Sequence, residues 1–170
     1  FNVPNEWKEK VVRFEFEGVY RKSEVYINDK LAGGCSYGYI PFWVETENLL
    51  KYGTINKIQV KVNNNEQPNS RWYTGTGIYR PIWLWVQNKN HIEPEGIKIT
   101  TLSYDPAEIQ ITTIHTGGQI SIEILDPTNN TSVATAEGDD VKIKVPNARL
   151  WNDETPNLYI CRVIQKDVNL

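Results

Sequence analysis

The sequence contains no methionine and begins at Phe1. That is not a natural translation start, so the 170 residues are expected to be an internal segment of a longer protein. Cysteine is nearly as scarce. Cys35 and Cys161 lie far apart and read as two buried free thiols in different domains, with a disulfide as the alternative. His91 and His115 stand singly, without the clustered spacing of a metal site, and read as structural or surface residues. No metal and no cofactor are expected. Basic charge is not in excess: 18 Lys and Arg face 21 Asp and Glu, a net charge of −3. Without a basic stripe, nucleic acid is excluded as an expected partner. No apolar run approaches the length of a membrane span, and no signal peptide is visible, so no membrane partner is expected. A phosphate loop, a nucleophile elbow, low-complexity segments and internal repeats are also missing. No stretch carries a long amphipathic helical period; only 46–50 suggests one short turn.

What is present is ordinary globular composition, 39% hydrophobic, 23% charged and 11% aromatic, enough for one or two domains with real cores. The most distinctive stretch is 70–86, SRWYTGTGIYRPIWLWV. Gly75 and Gly77 sit inside a dense aromatic cluster, which predicts a tight loop with large side chains packed over it. Ile82 to Val86 is a short apolar run with the composition of a buried core strand. Pro81 has no N–H to give to a ladder and belongs at the strand start or on an edge. Arg80 is expected to make a structural ion pair.

Elsewhere the period is two. Val12 to Phe16, Val25 to Ile27 and Ile58 to Val62 read as strands, and Asn28-Asp29 as a hairpin turn. Gly33, Gly34 and Gly38 punctuate the next stretch. The polar segment 87–96, with Pro94 and Gly96, reads as a linker or boundary. Beyond it, apolar alternation recurs at 97–99, 109–111, 120–124, 141–145 and 159–164, with turn clusters between. Short strands at such spacing point to an all-β chain of two sandwiches.

Several motifs carry a family resemblance. Arg71-Trp72-Tyr73-x-Gly75-x-Gly77-Ile78-Tyr79-Arg80 is similar to the signature that closes the N-terminal sugar-binding domain of family 2 glycoside hydrolases. Phe16-Glu17-Gly18-Val19, followed by Val25-Tyr26-Ile27-Asn28, resembles that family's strand pair ending in an Asn-Gly-Lys turn, with Asp29 in place of the glycine. Gly38-Tyr39-Ile40-Pro41-Phe42 and 56–62 resemble two further segments of the same domain. Leu150-Trp151 with Thr155-Pro156-x-Leu158-Tyr159 resembles an element of the family's immunoglobulin-like domain. The resemblance implies a jelly-roll (galactose-binding-like) sandwich over 1–88, lacking its first strands, then an immunoglobulin-like β-sandwich over 89–170. The catalytic (β/α)8 barrel of the family would lie outside this chain, because no alternation of strands and long helices appears.

Retaining glycosidases need two carboxyl groups about 5–5.5 Å apart. The resemblance places both on the barrel, so no catalytic residue is expected here; acids such as Glu45, Glu47, Asp139 and Asp140 read as solvated surface charge. Arg71, Trp72 and Tyr73 are the ligand-binding or barrel-facing candidates: the rings for stacking on a sugar, the guanidinium for hydroxyls or a barrel carboxylate. The competing reading packs Trp72 and Tyr73 in core or interdomain surface and gives Arg71 a structural ion pair. Asn129-Asn130-Thr131-Ser132 holds two overlapping glycosylation sequons and otherwise reads as a polar turn. The function implied is the non-catalytic N-terminal region of a β-galactosidase-like hydrolase. Its implied partners are a carbohydrate substrate reached through the parent enzyme, the intramolecular barrel and oligomer contacts. The alternatives are a free-standing carbohydrate-binding module and a structural tandem β-sandwich.

Overall fold

A computed structural model describes residues 1–66 and 75–167. The chain is all-β and divides into two compact units, Phe1–Asn88 and Lys89–Leu170. Each encloses its own apolar cluster.

The strands of the first unit are β1 (Asn2–Val3), β2 (Lys10–Phe16), β3 (Val19–Tyr20), β4 (Ser23–Ile27), β5 (Lys30–Cys35), β6 (Phe42–Glu45), β7 (Thr54–Ile55), β8 (Ile58–Val62), β9 (Gly77–Ile78) and β10 (Ile82–Asn88). A short 3-10 helix, Asn5–Glu9, leads into β2. The turn expected over 46–50 is present, closed by the Leu49 N–H on the Thr46 carbonyl at 3.0 Å. Two three-stranded antiparallel sheets, ordered β10-β2-β6 and β5-β4-β8, supply the core. Both central strands alternate as read from the sequence. Val12, Phe14 and Phe16 of β2, and Val25 and Ile27 of β4, are buried, while the intervening residues point away. Phe16 is wholly enclosed and stacks on Phe42, with ring centroids 4.9 Å apart. Asn28 and Asp29 join β4 to β5 in a two-residue turn. Their φ values of 48° and 68° meet the requirement of a type I′ hairpin, and Asp29 tolerates the conformation that a glycine would take.

Three expectations for this unit are corrected. Ile82 to Val86 is a strand, but not a core strand. β10 lies at the edge of its sheet, and Ile82, Trp83, Leu84 and Trp85 are all more than a third exposed. An apolar run gives hydrophobicity but not position in the sheet, and β10 pairs with β2 alone among the described residues. Gly33 and Gly34 do not interrupt the chain; they lie within β5. Among the described residues Arg80 makes no ion pair; its guanidinium lies over the Tyr79 ring, 5.6 Å from the centroid.

The second unit contains β11 (His91–Tyr104), β12 (Ala107–Thr116), β13 (Gln119–Asp126), β14 (Thr131–Glu137), β15 (Asp140–Lys144) and β16 (Ile160–Lys166). Its sheets are ordered β11-β12-β15 and β14-β13-β16. Isoleucines from both sheets form the core: Ile111 and Ile143 from one, Ile120, Ile122 and Ile124 from the other. The stretch 87–96 is not an open linker, although the two units divide within it, after Asn88. β10 runs to Asn88 and β11 starts at His91, so only Lys89 and Asn90 stand between them. Pro94 and Gly96 fall in an irregularity of the β11–β12 pairing between Ile92 and Ile97, with Glu95 at φ 57°. A bulge of this kind accepts a proline because no ladder bond is asked of it. β14 adds a strand that the sequence does not announce, since an edge strand of Thr, Ser and Ala shows no apolar alternation.

Candidate functional site

Arg71, Trp72 and Tyr73 lie outside the described residues. The chain on either side of them is anchored. Glu66 pairs with Arg21 and Lys22, and the Thr76 hydroxyl accepts a hydrogen bond from Asn64 Nδ2 at 2.9 Å. Gly77 then pairs with Tyr20, and Ile78 with Val19. Gly77 has φ +107°, which an L side chain rarely adopts, so its glycine answers to the turn. Gly75 has no described atom within 4 Å of where a Cβ would stand, so the expected packing of side chains over it is not seen among the described residues.

Beside this strand pair stands a cluster of four tyrosines. Tyr20 meets Tyr39 edge-on at 5.2 Å, and Tyr37 meets Tyr39 at 5.7 Å. Tyr79 donates its hydroxyl proton to the Gly38 carbonyl at 2.7 Å. Gly38 is glycine for want of space: a Cβ there would come within 2.3 Å of the Tyr20 ring. Arg21 lies over Tyr20 at 5.9 Å, as Arg80 does over Tyr79. Desolvation, reinforced by the neighbouring Tyr20, raises the Tyr39 hydroxyl above its ordinary value. Tyr37, Tyr39 and Tyr79 remain about half exposed. Aromatic faces with hydroxyl tips and two guanidiniums suit a ligand that is apolar on its faces and polar at its edges. The Gly-Tyr-x-Pro-Phe motif and the two-glycine motif are separate in the sequence. That both reach one cluster depends on the β3–β9 pairing, which no local pattern signals.

In the second unit the 150–159 motif builds one wall of a cleft of about 710 Å3, lined by Ile99, Tyr104, Ile109, Trp151, Leu158 and Cys161 among others. The wall is held by polar bonds. Arg149 forks onto Asp126 with two 2.8 Å bonds. The Arg149 N–H donates to the Tyr159 hydroxyl at 2.9 Å, and Asn152 Oδ1 accepts from the Thr155 N–H at 2.6 Å. Trp151 bridges to Pro156. Trp151 and Leu158 are more than three-fifths exposed. Burial pushes the Cys161 thiol up, away from the thiolate that would make it a nucleophile. Cys35 and Cys161 are both free and half-buried.

Several acids are committed to structural partners. Glu45 lies 3.6 Å from Arg13, and Asp140 accepts from Gln110 at 2.6 Å. The Glu66 carboxyl is held below its ordinary value, first by its bond to Lys22, and that of Asp126 by Thr128. No cluster of three or more His, Cys, Asp or Glu side chains that could hold a metal occurs among the described residues. His91 is buried, with Nδ1 3.1 Å from the Lys89 carbonyl and Nε2 3.3 Å from Glu93.

Residues 91–169 match the family model described as glycosyl hydrolases family 2. A β-galactosidase of Bacteroides ovatus, BoGH2A, is 35% identical over 178 residues, covering 94% of this chain and 21% of the relative. A putative β-glucuronidase of Formosa agariphila is 35% identical over 162 residues, covering 88% of this chain and 16% of the relative. Among solved structures, a glycosyl hydrolase family 2 member from Bacteroides cellulosilyticus superposes with a TM-score of 0.80 at 29% identity, over 98% of this chain and 26% of that one. The β-D-glucuronidase of Dictyoglomus thermophilum shares the fold, with a TM-score of 0.82 at 22% identity, over 99% of this chain and 33% of that one. The chain thus spans about a fifth of the length of these two curated relatives.

Proposed function

Because the chain belongs to glycosyl hydrolase family 2, we propose that it is the non-catalytic N-terminal region of a retaining β-galactosidase-like enzyme. Its first unit would be the family's sugar-binding-type jelly roll and its second the immunoglobulin-like sandwich. The parent hydrolyses a terminal β-glycosidic bond by double displacement, with both carboxyl groups on a barrel outside this chain. The observation that carries the reading is the coverage: 94% of the chain aligns with 21% of a β-galactosidase. The two sandwiches buttress the barrel. The tyrosine cluster shapes one wall of its pocket and meets the sugar's apolar face and hydroxyls, and Arg71, Trp72 and Tyr73 are further candidates for contact with the sugar or the barrel.

Hydrolysis of a panel of nitrophenyl β-glycosides tests this reading, with residues 1–170 assayed beside the product of a full coding sequence that contains them. Cleavage by the longer protein alone is the expected result, with the β-galactoside preferred. Preference for the β-glucuronide would move the substrate class to that named for the Formosa relative. Cleavage by neither protein would leave a binding function in its place. Arg71→Ala, Trp72→Ala and Tyr73→Ala in the longer protein are expected to raise KM more than they lower kcat, since the role proposed for them is to hold the sugar rather than to take part in bond cleavage.

A further inference from the structure

The outer face of the β10-β2-β6 sheet carries an aromatic row that the tyrosine cluster does not include. Trp83 and Trp85 alternate on β10 and so point to the same side, about 7 Å apart along the strand. They are 51% and 39% exposed. Each is held the same way. Trp83 stands opposite Glu15 on β2 but donates its indole N–H to Glu17, at 2.6 Å. Trp85 stands opposite Arg13 and donates to Glu15, at 2.9 Å. Each bond runs to the carboxylate two residues on, so both indoles lean in one direction and repeat along the sheet. Trp43 on β6 closes the row from the far side, its ring 5.7 Å from that of Trp85, with the Arg13 guanidinium 6.0 Å above it. Glu45 flanks Arg13.

We infer that this face binds a neutral oligosaccharide of regular repeat laid along β10, on side chains other than those of the tyrosine cluster. Two features select that ligand. The charges are interleaved with the rings: Glu15, Glu17, Arg13 and Glu45 lie between or beside the indoles. A dry protein partner would have to desolvate them, and protein interfaces are depleted of charge at their centre. Sugar hydroxyls instead bond to the carboxylates, while the C–H faces of the rings stack on indole. The second feature is the repeat. Two rings fixed in one orientation on a rigid strand match a ligand that is itself periodic, and little side-chain freedom is lost on binding because the carboxylates already hold the rings. The excess of Glu over Arg disfavours an anionic glycan, which narrows the class to neutral chains.

Indole N–H resonances of the 170-residue chain, assigned with Trp83→Phe and Trp85→Phe, provide the test. The probes are β-1,4-galactotetraose and cellotetraose. At least one should shift the Trp83 and Trp85 signals together, saturating with a Kd in the ~0.1–10 mM range. Trp83→Ala should weaken binding about tenfold, while Trp83→Tyr, which keeps a ring, should retain most of it. The wild-type titration needs no variant to fold. Absence of any shift in both signals with either probe overturns the proposal. So does a shift confined to other tryptophans, or binding unchanged in the Trp83→Ala, Trp85→Ala double variant. The readout is independent of hydrolysis, so failure of the parent enzyme's assay and failure of this site are distinguishable.

Discussion

Asn56 shows how much one side chain can organise. It is 1% exposed and sits where β7 turns into β8. Its Oδ1 accepts from Asn28 Nδ2 at 2.7 Å and from the Lys51 N–H at 2.8 Å. Its Nδ2 donates to the Lys51 carbonyl at 2.6 Å and to that of Thr54 at 3.1 Å. It therefore ties the 46–55 stretch to the β4–β5 hairpin. Asn56→Ala strands several buried donors and acceptors at once and should cost about 3 kcal/mol in urea denaturation. In the sequence Asn56 reads only as the first residue of a strand motif. Its side-chain partners lie 2, 5 and 28 positions away, and the bond to Asn28 that joins it to the hairpin has no local signal. Asp126 makes a second residue-scale case. Bonds from the Thr128 side chain and backbone, and then from Arg149, hold its pKa below the ordinary value. A depressed carboxyl stabilises the fold above its unfolded pKa, and that contribution is lost as pH falls through the folded value. Asp126→Asn should lower the urea midpoint at neutral pH, and the gap from wild type should close as the solution is acidified below the carboxylate range. A gap that persists at acid pH would contradict this.

At the scale of elements, β2 and β4 are central strands, and both were legible because half-buried strands write their burial as alternation. Phe16 ends β2 at the centre of the first core, wholly enclosed. Phe16→Ala should cost about 3–5 kcal/mol by thermal or urea unfolding. A loss below about 1 kcal/mol would mean that the site collapses around the missing ring. The type I′ turn at Asn28-Asp29 was equally legible, since both residues tolerate positive φ. Three elements escaped, for related reasons. β10 is as apolar as a core strand but lies on a sheet edge, and composition does not report an edge. β14 is also an edge strand, and its polar sequence looks like a turn. β11 absorbs Pro94 and Gly96 in a bulge, so residues that ordinarily end a strand are carried inside it. The candidate sites escaped more fully. Arg71, Trp72 and Tyr73 were legible as a motif and lie outside the described residues. The four tyrosines, the cleft beside Leu150–Leu158 and the Trp83–Trp85 row each depend on pairings between distant strands.

At the scale of the whole molecule, each of the two units has its own core. Their large exposed apolar side chains, Trp151 and Leu158 in one and Ile82 and Leu84 in the other, fit a segment that works packed against further polypeptide. The central claim is that these sandwiches support an enzyme whose chemistry lies elsewhere. It is tested most directly by deleting residues 1–170 from the parent enzyme and measuring kcat/KM on nitrophenyl β-galactoside beside the intact protein. Loss of hydrolysis, with a lower unfolding temperature, is the expected result. A truncated enzyme that keeps both its kcat/KM and its unfolding temperature would contradict the account.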